Sequence, residues 1–454
     1  MVYLIASIAG IAGLLFGFDE GVIAGALHLL RAEFGISPLA EGIMTATVPL
    51  GAVGGALIGG WLARPVGRRK LLLGAAFLFV VGALLSALAP SLILVCVARL
   101  LLGLAIGVAA MIAPLYISET APARIRGMLV SIYQLAITLG ILGAYLVGYT
   151  FSDSWRAMFA AGIVPGAALL IGIAILSDTP RWLVLRGRRE EARAVIAKTQ
   201  SLPIDDRLVT AELSAIEAAA QVDLAQGSWR DLFGPVARPA LIVGMGLFLL
   251  QQLSGINAVI YFAPTVFRLS GFDSTSTQML ATVGIGVVNV LVTVLAMGLI
   301  DRIGRRKLLF IGFAGAALSL GLIAAAAATG SPDLQILALI GLVLYVASFA
   351  ISIGPLPWVM MSEIFPLHLR GPGMSAASIT NWVFNFIVVL TFPVLVADIG
   401  LAGVFSIYAL VCVAGVVFTA RLVPETSGIS LEDIEKHLKG GKPFSALARS
   451  VKAA

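Results

Sequence analysis

Residues 251–262 read QQLSGINAVIYF, in the middle of an apolar run spanning about 241–267. The run is long enough to cross a bilayer, yet it carries Gln251, Gln252, Ser254, Asn257 and Tyr261. Every polar group left unsatisfied in hydrocarbon is costly. A face bearing several of them needs water, another helix or a polyhydroxylated ligand. Asn257 and Tyr261 are four residues apart and share a face. Hydrogen bonding between helices is the plainer use of such groups. Gly244 and Gly246 on one side, and the pair Ser254-Gly255 within, are expected to bend or open the helix beside a binding site.

The whole chain extends this apolar character. Of its 454 residues 59% are hydrophobic and 12% charged, about half the charge of a soluble domain, and its mean hydropathy is +1.03. Its 49 glycines suit close helix contact. These values define an all-α polytopic membrane protein. Cys96 and Cys412 fall in apolar runs and read as small buried hydrophobes, not as a disulfide framework. No charged leader with a cleavage site precedes the first run.

Twelve apolar segments can be marked, at 2–29, 43–63, 71–90, 92–117, 128–150, 157–177, 240–267, 280–300, 308–330, 335–361, 373–397 and 401–420. The loops after even-numbered segments hold Arg64, Arg68, Arg69, Lys70, Arg124, Arg126, Arg302, Arg305, Arg306, Lys307 and Arg370, and the polar stretch 178–239 and the tail are basic too. The opposite side has Arg31, Arg156 and Arg268. Positive charge marks the cytoplasmic side, so both termini are expected there. The net charge of +6 is this bias and does not point to nucleic acid. Within 178–239, residues 190–197 and 209–220 have the composition of short amphipathic helices.

The two halves repeat each other. GRRK occurs at 67–70 and at 304–307. Glu119 and Glu363 are each followed, seven residues on, by Arg-Gly at Arg126 and Arg370. Asp178-Thr-Pro has a weaker echo in Pro424-Glu425-Thr. Echoes in the same order imply six-helix halves at 1–177 and 240–422, a cytoplasmic linker at 178–239 and a cytoplasmic tail at 423–454. Arg68, Arg69, Arg305 and Arg306 are expected to pair with Glu119, Glu363, Asp178 and Glu425, alongside Arg126, Asp301 and Arg370. Such a charge network would latch the halves on the inside.

Asp19 and Glu20 lie deep in the first apolar run and Arg99 near the start of the fourth. Ionisable groups at membrane depth mark proton or substrate paths. Asp19 is a candidate proton carrier with Arg99 as its partner; the alternative is a static ion pair. Glu20 points about 100° away around the helix and gains no role from the sequence. Arg99 opens the spacing Arg99, Gly103, Gly107, which gives the helix a smooth face for close packing. Gln134, Gln251, Gln252, Asn257 and Asn381 supply neutral donors and acceptors, and Trp358 and Trp382 supply indoles. Neutral amides pair with hydroxyls in both directions. No cationic cluster suits a phosphate, no phosphate-binding Gly-Lys-Ser/Thr loop points to ATP, no cofactor is implied, and no His/Cys/Asp cluster has metal spacing. His28, His368 and His437 read as surface histidines.

The strings GFDEGVIAGAL, GRRK twice, PLYISETAPARIRG, QQLSGINAVIYF, GPLPWVMMSEIFP with LRG, and PETSGISLEDIE cover essentially the whole chain. In this order they resemble the sugar porter family of the major facilitator superfamily. The resemblance implies twelve transmembrane helices, alternating access, and transport of hexoses, pentoses or related polyols. It implies sugar contacts at Phe16, Gln134, Gln251, Gln252, Asn257, Tyr261, Trp358, Asn381 and Trp382, and proton coupling through Asp19 and Arg99. The chain departs from the family pattern at Arg64, where Asp is usual, with Asp301 kept in the second copy. It departs also at Phe262, which replaces a tyrosine, at Asp178-Thr179, and at Ser427, which replaces a lysine. The leading expectation is a monomeric proton–sugar symporter of a bacterial plasma membrane, not an enzyme. A passive uniporter, a polyol or inositol symporter and a sugar sensor are the alternatives.

Overall fold

The computed structural model describes residues 2–121, 125–223, 229–366, 369–429, 431–440 and 443–447, and every regular element among them is helical. The first apolar segments form α1 (Val2–Phe34), α2 (Pro38–Val66), α3 (Arg68–Ala87), α4 (Leu92–Thr120), α5 (Arg126–Thr150) and the pair α6 (Trp155–Ala161) and α7 (Ile163–Ala174). The polar stretch holds α8 (Pro180–Leu185), α9 (Arg189–Gln200) and α10 (Arg207–Asp223). The second set is α11 (Arg238–Leu253) with α12 (Ile256–Leu269), α13 (Thr275–Ile303), α14 (Arg305–Ala328), α15 (Leu334–Ser348) with α16 (Leu356–Ile364), and α17 (Arg370–Arg421). A short α18 (Leu431–Lys439) lies in the tail. Ser91, Ser154, Thr179 and Ser274 start their helices by accepting from the backbone N–H three residues on, which satisfies an otherwise orphaned donor.

Eleven stretches among the described residues are long and apolar enough to cross a membrane. The last of them, α17, runs for 52 residues. Straight, it would extend about 78 Å, well over twice the ~30 Å of a hydrocarbon core. Gly400 breaks it with φ 66° and ψ −178°. Asn381 bonds Gln252 of α11, and a side chain at nearby Gly255 would collide with the Tyr408 ring. Residues on both sides of Gly400 therefore return to one level of α11, and the chain doubles back. With this split there are twelve crossings among the described residues, at the expected places.

The chain divides into two compact units. One comprises Met1–Val22, Thr47–Val147 and Asp153–Gln226; the other comprises Ile23–Ala46, Gly148–Ser152 and Gly227–Ala454. Within the first, α2 and α4 meet through glycine on both sides. A Cβ at Gly51 or Gly55 would strike the carbonyl of Leu100 or Leu104, and one at Gly103 or Gly107 that of Val48 or Ala52. The Gly103 and Gly107 face expected from sequence is this seam. α1 meets α5 likewise, with Gly17 against the Ile137 carbonyl. Lipid tails give helices no hydrophobic reason to associate, so backbone-to-backbone approach supplies the packing.

The same logic corrects one expectation. Gly244 and Gly246 lie inside an unbroken α11. Instead of bending the helix they admit the rings of Phe365 and Phe418. In the polar stretch α8, α9 and α10 form a small core of Trp182, Leu183, Ala192, Ile196, Val209 and Leu213, as their amphipathic patterns imply. At its edge, hydrogen bonds from Arg188 hold the Glu191 carboxyl below the usual carboxylate range. His437, read as a surface residue, is buried, with its ring nitrogen 3.1 Å from the Pro443 carbonyl.

Gly103→Leu should lower the stability of the purified protein by about 1–3 kcal/mol through overpacking of the α2–α4 seam. Gly74→Ala, where nothing lies within 4 Å of the new carbon, should leave the melting temperature unchanged or raise it. Equal behaviour of the two variants would contradict the seam.

Candidate functional site

The stretch at 251–262 is broken twice. Ser254 and Gly255 separate α11 from α12, Gly255 taking φ 90°. The chain kinks again at Phe262 (φ −116°, ψ 15°), two residues before Pro264. Each break frees backbone groups that the surroundings must satisfy. The Tyr345 hydroxyl donates to the Ser254 carbonyl at 2.9 Å, and Ser254 Oγ donates to the Gln251 carbonyl at 2.6 Å. The tenth crossing is broken too, by a π-helical turn at Phe349–Ile353. Gln251 Nε2 donates to the carbonyls of Ile353 at 2.7 Å and Gly354 at 2.9 Å. One amide thus ties two interrupted helices together.

The neighbouring amides form a chain. Asn257 Nδ2 donates to Gln252 Oε1 at 2.6 Å, and Gln252 Nε2 donates to Asn381 Oδ1 at 2.6 Å. All four amide side chains are at most 5% exposed. The bonds engage both ends of the Gln252 amide and leave the Asn257 oxygen and the Asn381 amino group outside the chain. Trp358 is half-buried and meets Phe248 edge-on at 4.8 Å. Tyr261 and Trp382 are fully buried in the same unit. Phe262, where a second tyrosine is usual, stacks on Phe392 at 4.8 Å. Phe16 and Gln134 are half-buried in the first unit. Sequence reading passed over Tyr345, which holds the break at Ser254, and the buried Asn289 and Asn385. Asn385 lies one turn from Asn381 on the same face, and that spacing was a usable signal.

In the first unit Asp19 Oδ2 lies 3.7 Å from Arg99 Nη2. Asp19 is 2% exposed and Arg99 0%. Neither Asp19 Oδ2 nor any of the three guanidinium nitrogens makes a hydrogen bond among the described residues. The guanidinium also stands 5.8 Å from the Phe159 ring centre. The expected pair exists, but as a loose contact between charges. Glu20 is buried beside it at 4% exposure.

The charge clusters at the GRRK turns are tight by comparison. In the first, Arg68 Nη2 donates to Glu119 Oε1 at 2.7 Å, Thr179 Oγ1 donates to Glu119 Oε2 at 2.6 Å, and Asp178 accepts from the Arg68 backbone at 3.1 Å. In the second, Arg305 Nη2 donates to Glu363 Oε1 at 3.1 Å, Thr426 Oγ1 donates to Glu363 Oε2 at 2.6 Å, and Glu425 accepts from the Arg305 backbone at 2.9 Å. Gly67 (φ 98°) and Gly304 (φ 92°) make both turns, and a side chain on either would collide with Asp178 or Glu425. Arg69 and Arg306 instead reach helix ends, donating to the Ala174 and Ala420 carbonyls at 2.5 Å. Ser427 accepts from Arg305 at 3.2 Å, a short-range contact in place of the usual lysine's. Trp182 Nε1 donates to the Arg64 carbonyl at 2.8 Å. Arg370 is half-buried. The side chains of Arg126 and Asp301 lie outside the described residues.

Twelve apolar crossings, paired charge clusters, helices interrupted beside an internal amide chain and a buried ion pair are together the features of a secondary membrane transporter. The chain belongs to the family described as Sugar (and other) transporter, whose model matches residues 5–438. It is 41% identical over 448 residues to the galactose-proton symporter of Escherichia coli (strain K12), covering 97% of this chain and 95% of the relative. It is 41% identical over 434 residues to the D-xylose transporter of Levilactobacillus brevis, covering 94% of each. Among solved structures, the inward open conformation of the xylose transporter XylE from E. coli matches with a TM-score of 0.83 and 32% identity, covering 96% of this chain and 100% of that one.

Removing one partner of a buried ion pair strands the other charge. Glu119→Ala should therefore destabilise the purified protein by about 3–5 kcal/mol. The double change Arg68→Leu with Glu119→Leu should recover part of the loss. A double variant less stable than the single one would contradict this account of the cluster.

Proposed function

We propose that the protein is a proton-coupled symporter of a neutral monosaccharide, a hexose or a pentose, working by alternating access in a bacterial plasma membrane. Both termini face the cytoplasm, the halves 1–177 and 240–422 act as the moving bundles, and one copy suffices. The proton gradient drives the cycle, and ATP has no part in it.

The observation that carries this reading is the Asp19–Arg99 contact, buried, 3.7 Å long and without a hydrogen bond. A structural pair at that depth gains from short hydrogen-bonded geometry, because desolvating two charges is otherwise uncompensated. A loose pair is suited to separation when the carboxylate takes a proton. The relatives, a galactose-proton symporter and a xylose transporter, support the substrate class. Gln251, Gln252, Asn257 and Asn381 are the sugar-binding amides in this reading, with Tyr261, Trp358 and Trp382 of the same unit; Phe16 and Gln134 of the first unit are read as further sugar contacts. Gln252 donates and accepts at once, which is the chemistry a sugar hydroxyl requires. The paired clusters at Glu119 and Glu363 hold the cytoplasmic ends of each half, and their loosening accompanies opening.

Asp19→Asn keeps the shape and removes the titrating group. In proteoliposomes it should abolish uphill accumulation while sugar-for-sugar exchange survives. Loss of folding and exchange together would instead mark the pair as purely structural. Gln252→Ala should weaken sugar binding by about 1–3 kcal/mol, the cost of an unpaired buried partner. Wild-type affinity in that variant would contradict the placement of the sugar.

A further inference from the structure

The side-chain bonds around the break at Ser254–Gly255 divide by what a sugar would do to them. Gln251 Nε2 donates to the carbonyls of Ile353 and Gly354, Asn257 Nδ2 to Gln252 Oε1, and Gln252 Nε2 to Asn381 Oδ1. Each of these bonds runs through an amide assigned to the sugar. A sugar hydroxyl that pairs with such an amide competes with the bond the amide already makes. The bond from Asn257 to Gln252 also bridges the break, because Gln252 lies in the last turn of α11 and Asn257 in the first turn of α12. Sugar binding therefore draws on the same bonds that hold the two helices in register.

The tie at Ser254 is different. Tyr345 of α15 donates to the Ser254 carbonyl at 2.9 Å, and its hydroxyl oxygen lies 3.1 Å from Ser254 Oγ. Ser254 Oγ in turn donates to the Gln251 carbonyl at 2.6 Å. Both residues are fully buried, and no amide side chain takes part in these bonds. The ring of Tyr408, from the last crossing, packs against the neighbouring Gly255, where a Cβ would come within 2.3 Å of it. Two tyrosines thus flank the break, and their hydroxyls differ. That of Tyr408 is buried and makes no hydrogen bond among the described residues; that of Tyr345 fastens the break to α15. A phenylalanine at either position would fill the same space, so the comparison isolates one hydroxyl.

We propose that Tyr345 is a positioning residue for sugar recognition. Acting through Ser254, it keeps Gln251 and Gln252 in register with Asn257 while these amides exchange their present bonds for bonds to the sugar. Without that tie the break is left to be ordered by the ligand, and part of the binding free energy is consumed in doing so. The inference rests on the assignment of these amides to the sugar and adds a residue that acts on them from behind.

The test is the affinity of the purified full chain for D-galactose, or for D-xylose if galactose is not bound, measured by calorimetry. Tyr345→Phe should weaken binding about three- to tenfold, and Tyr408→Phe should leave it unchanged. In an Asn257→Ala background, where register across the break no longer serves the sugar, Tyr345→Phe should cost less than about twofold. Wild-type affinity in Tyr345→Phe overturns the inference, and so does an equal loss in Tyr408→Phe. A full loss that persists without Asn257 also overturns it, since the hydroxyl would then support the fold and not the register. Should Tyr345→Phe not be recovered folded, hydrogen exchange of the wild type over residues 250–260 decides. These amides should stay protected when sugar is added, and faster exchange on binding would contradict the tie. Gln252→Ala separates the two readings. Weakened binding there with an unaffected Tyr345→Phe sinks this inference alone, whereas wild-type affinity in Gln252→Ala removes the placement of the sugar and this inference with it.

Discussion

A polar group at membrane depth must find its partner within the protein, and the hydrogen bonds from Gln251 to the carbonyls of Ile353 and Gly354 show how much structure follows from that. Two helices are interrupted, one at Ser254–Gly255 and one at the Phe349–Ile353 turn. Neither interruption is tolerable in hydrocarbon unless the freed groups are satisfied. Gln251 and Tyr345 satisfy them across the gap. The interrupted helices in turn present Gln252 and Asn257 as a donor-acceptor chain with Asn381. A continuous helix would have spent its backbone on itself and left no such opening.

The ionic contacts divide by geometry. Arg68–Glu119 and Arg305–Glu363 are hydrogen-bonded, flanked by threonine hydroxyls and backed by Asp178 and Glu425. They fix the ends of helices, and their two copies have matching parts. Among the described residues Asp19–Arg99 has no copy in the second half, and neither Asp19 Oδ2 nor the guanidinium makes a hydrogen bond. Its cost of desolvation is not offset by geometry. A contact retained under those terms is better understood through the states in which it is broken than through the one in which it is formed.

Much of this was legible in the sequence because membrane helices obey a short list of rules. Segment length and hydropathy located the twelve crossings, including the two that share α17. The doubled GRRK, the two Glu–Arg-Gly spacings and the weaker echo at Asp178 and Glu425 located both clusters before any geometry was known. What sequence could not supply was the partner of each group. Gly244 and Gly246 look like hinges in one dimension, yet they accommodate Phe365 and Phe418, which are distant in the chain. Arg69 and Arg306 share a motif with Arg68 and Arg305 but turn to helix carbonyls, a choice made by side-chain direction. Tyr345 lies in an apolar run with nothing local to mark it, and only the break it closes reveals its use. Glu20 was visible as an acid in an apolar run, and the fold buries it beside Asp19.

The central claim is that sugar and protons move together. Wild-type protein in energy-depleted cells or unbuffered vesicles, given D-galactose or D-xylose without an imposed gradient, tests it most directly. The account predicts that sugar entry makes the external medium alkaline, in proportion to the sugar taken up, and that a protonophore abolishes the change. Sugar entry at full rate with no change in external pH would contradict the account and leave a passive carrier.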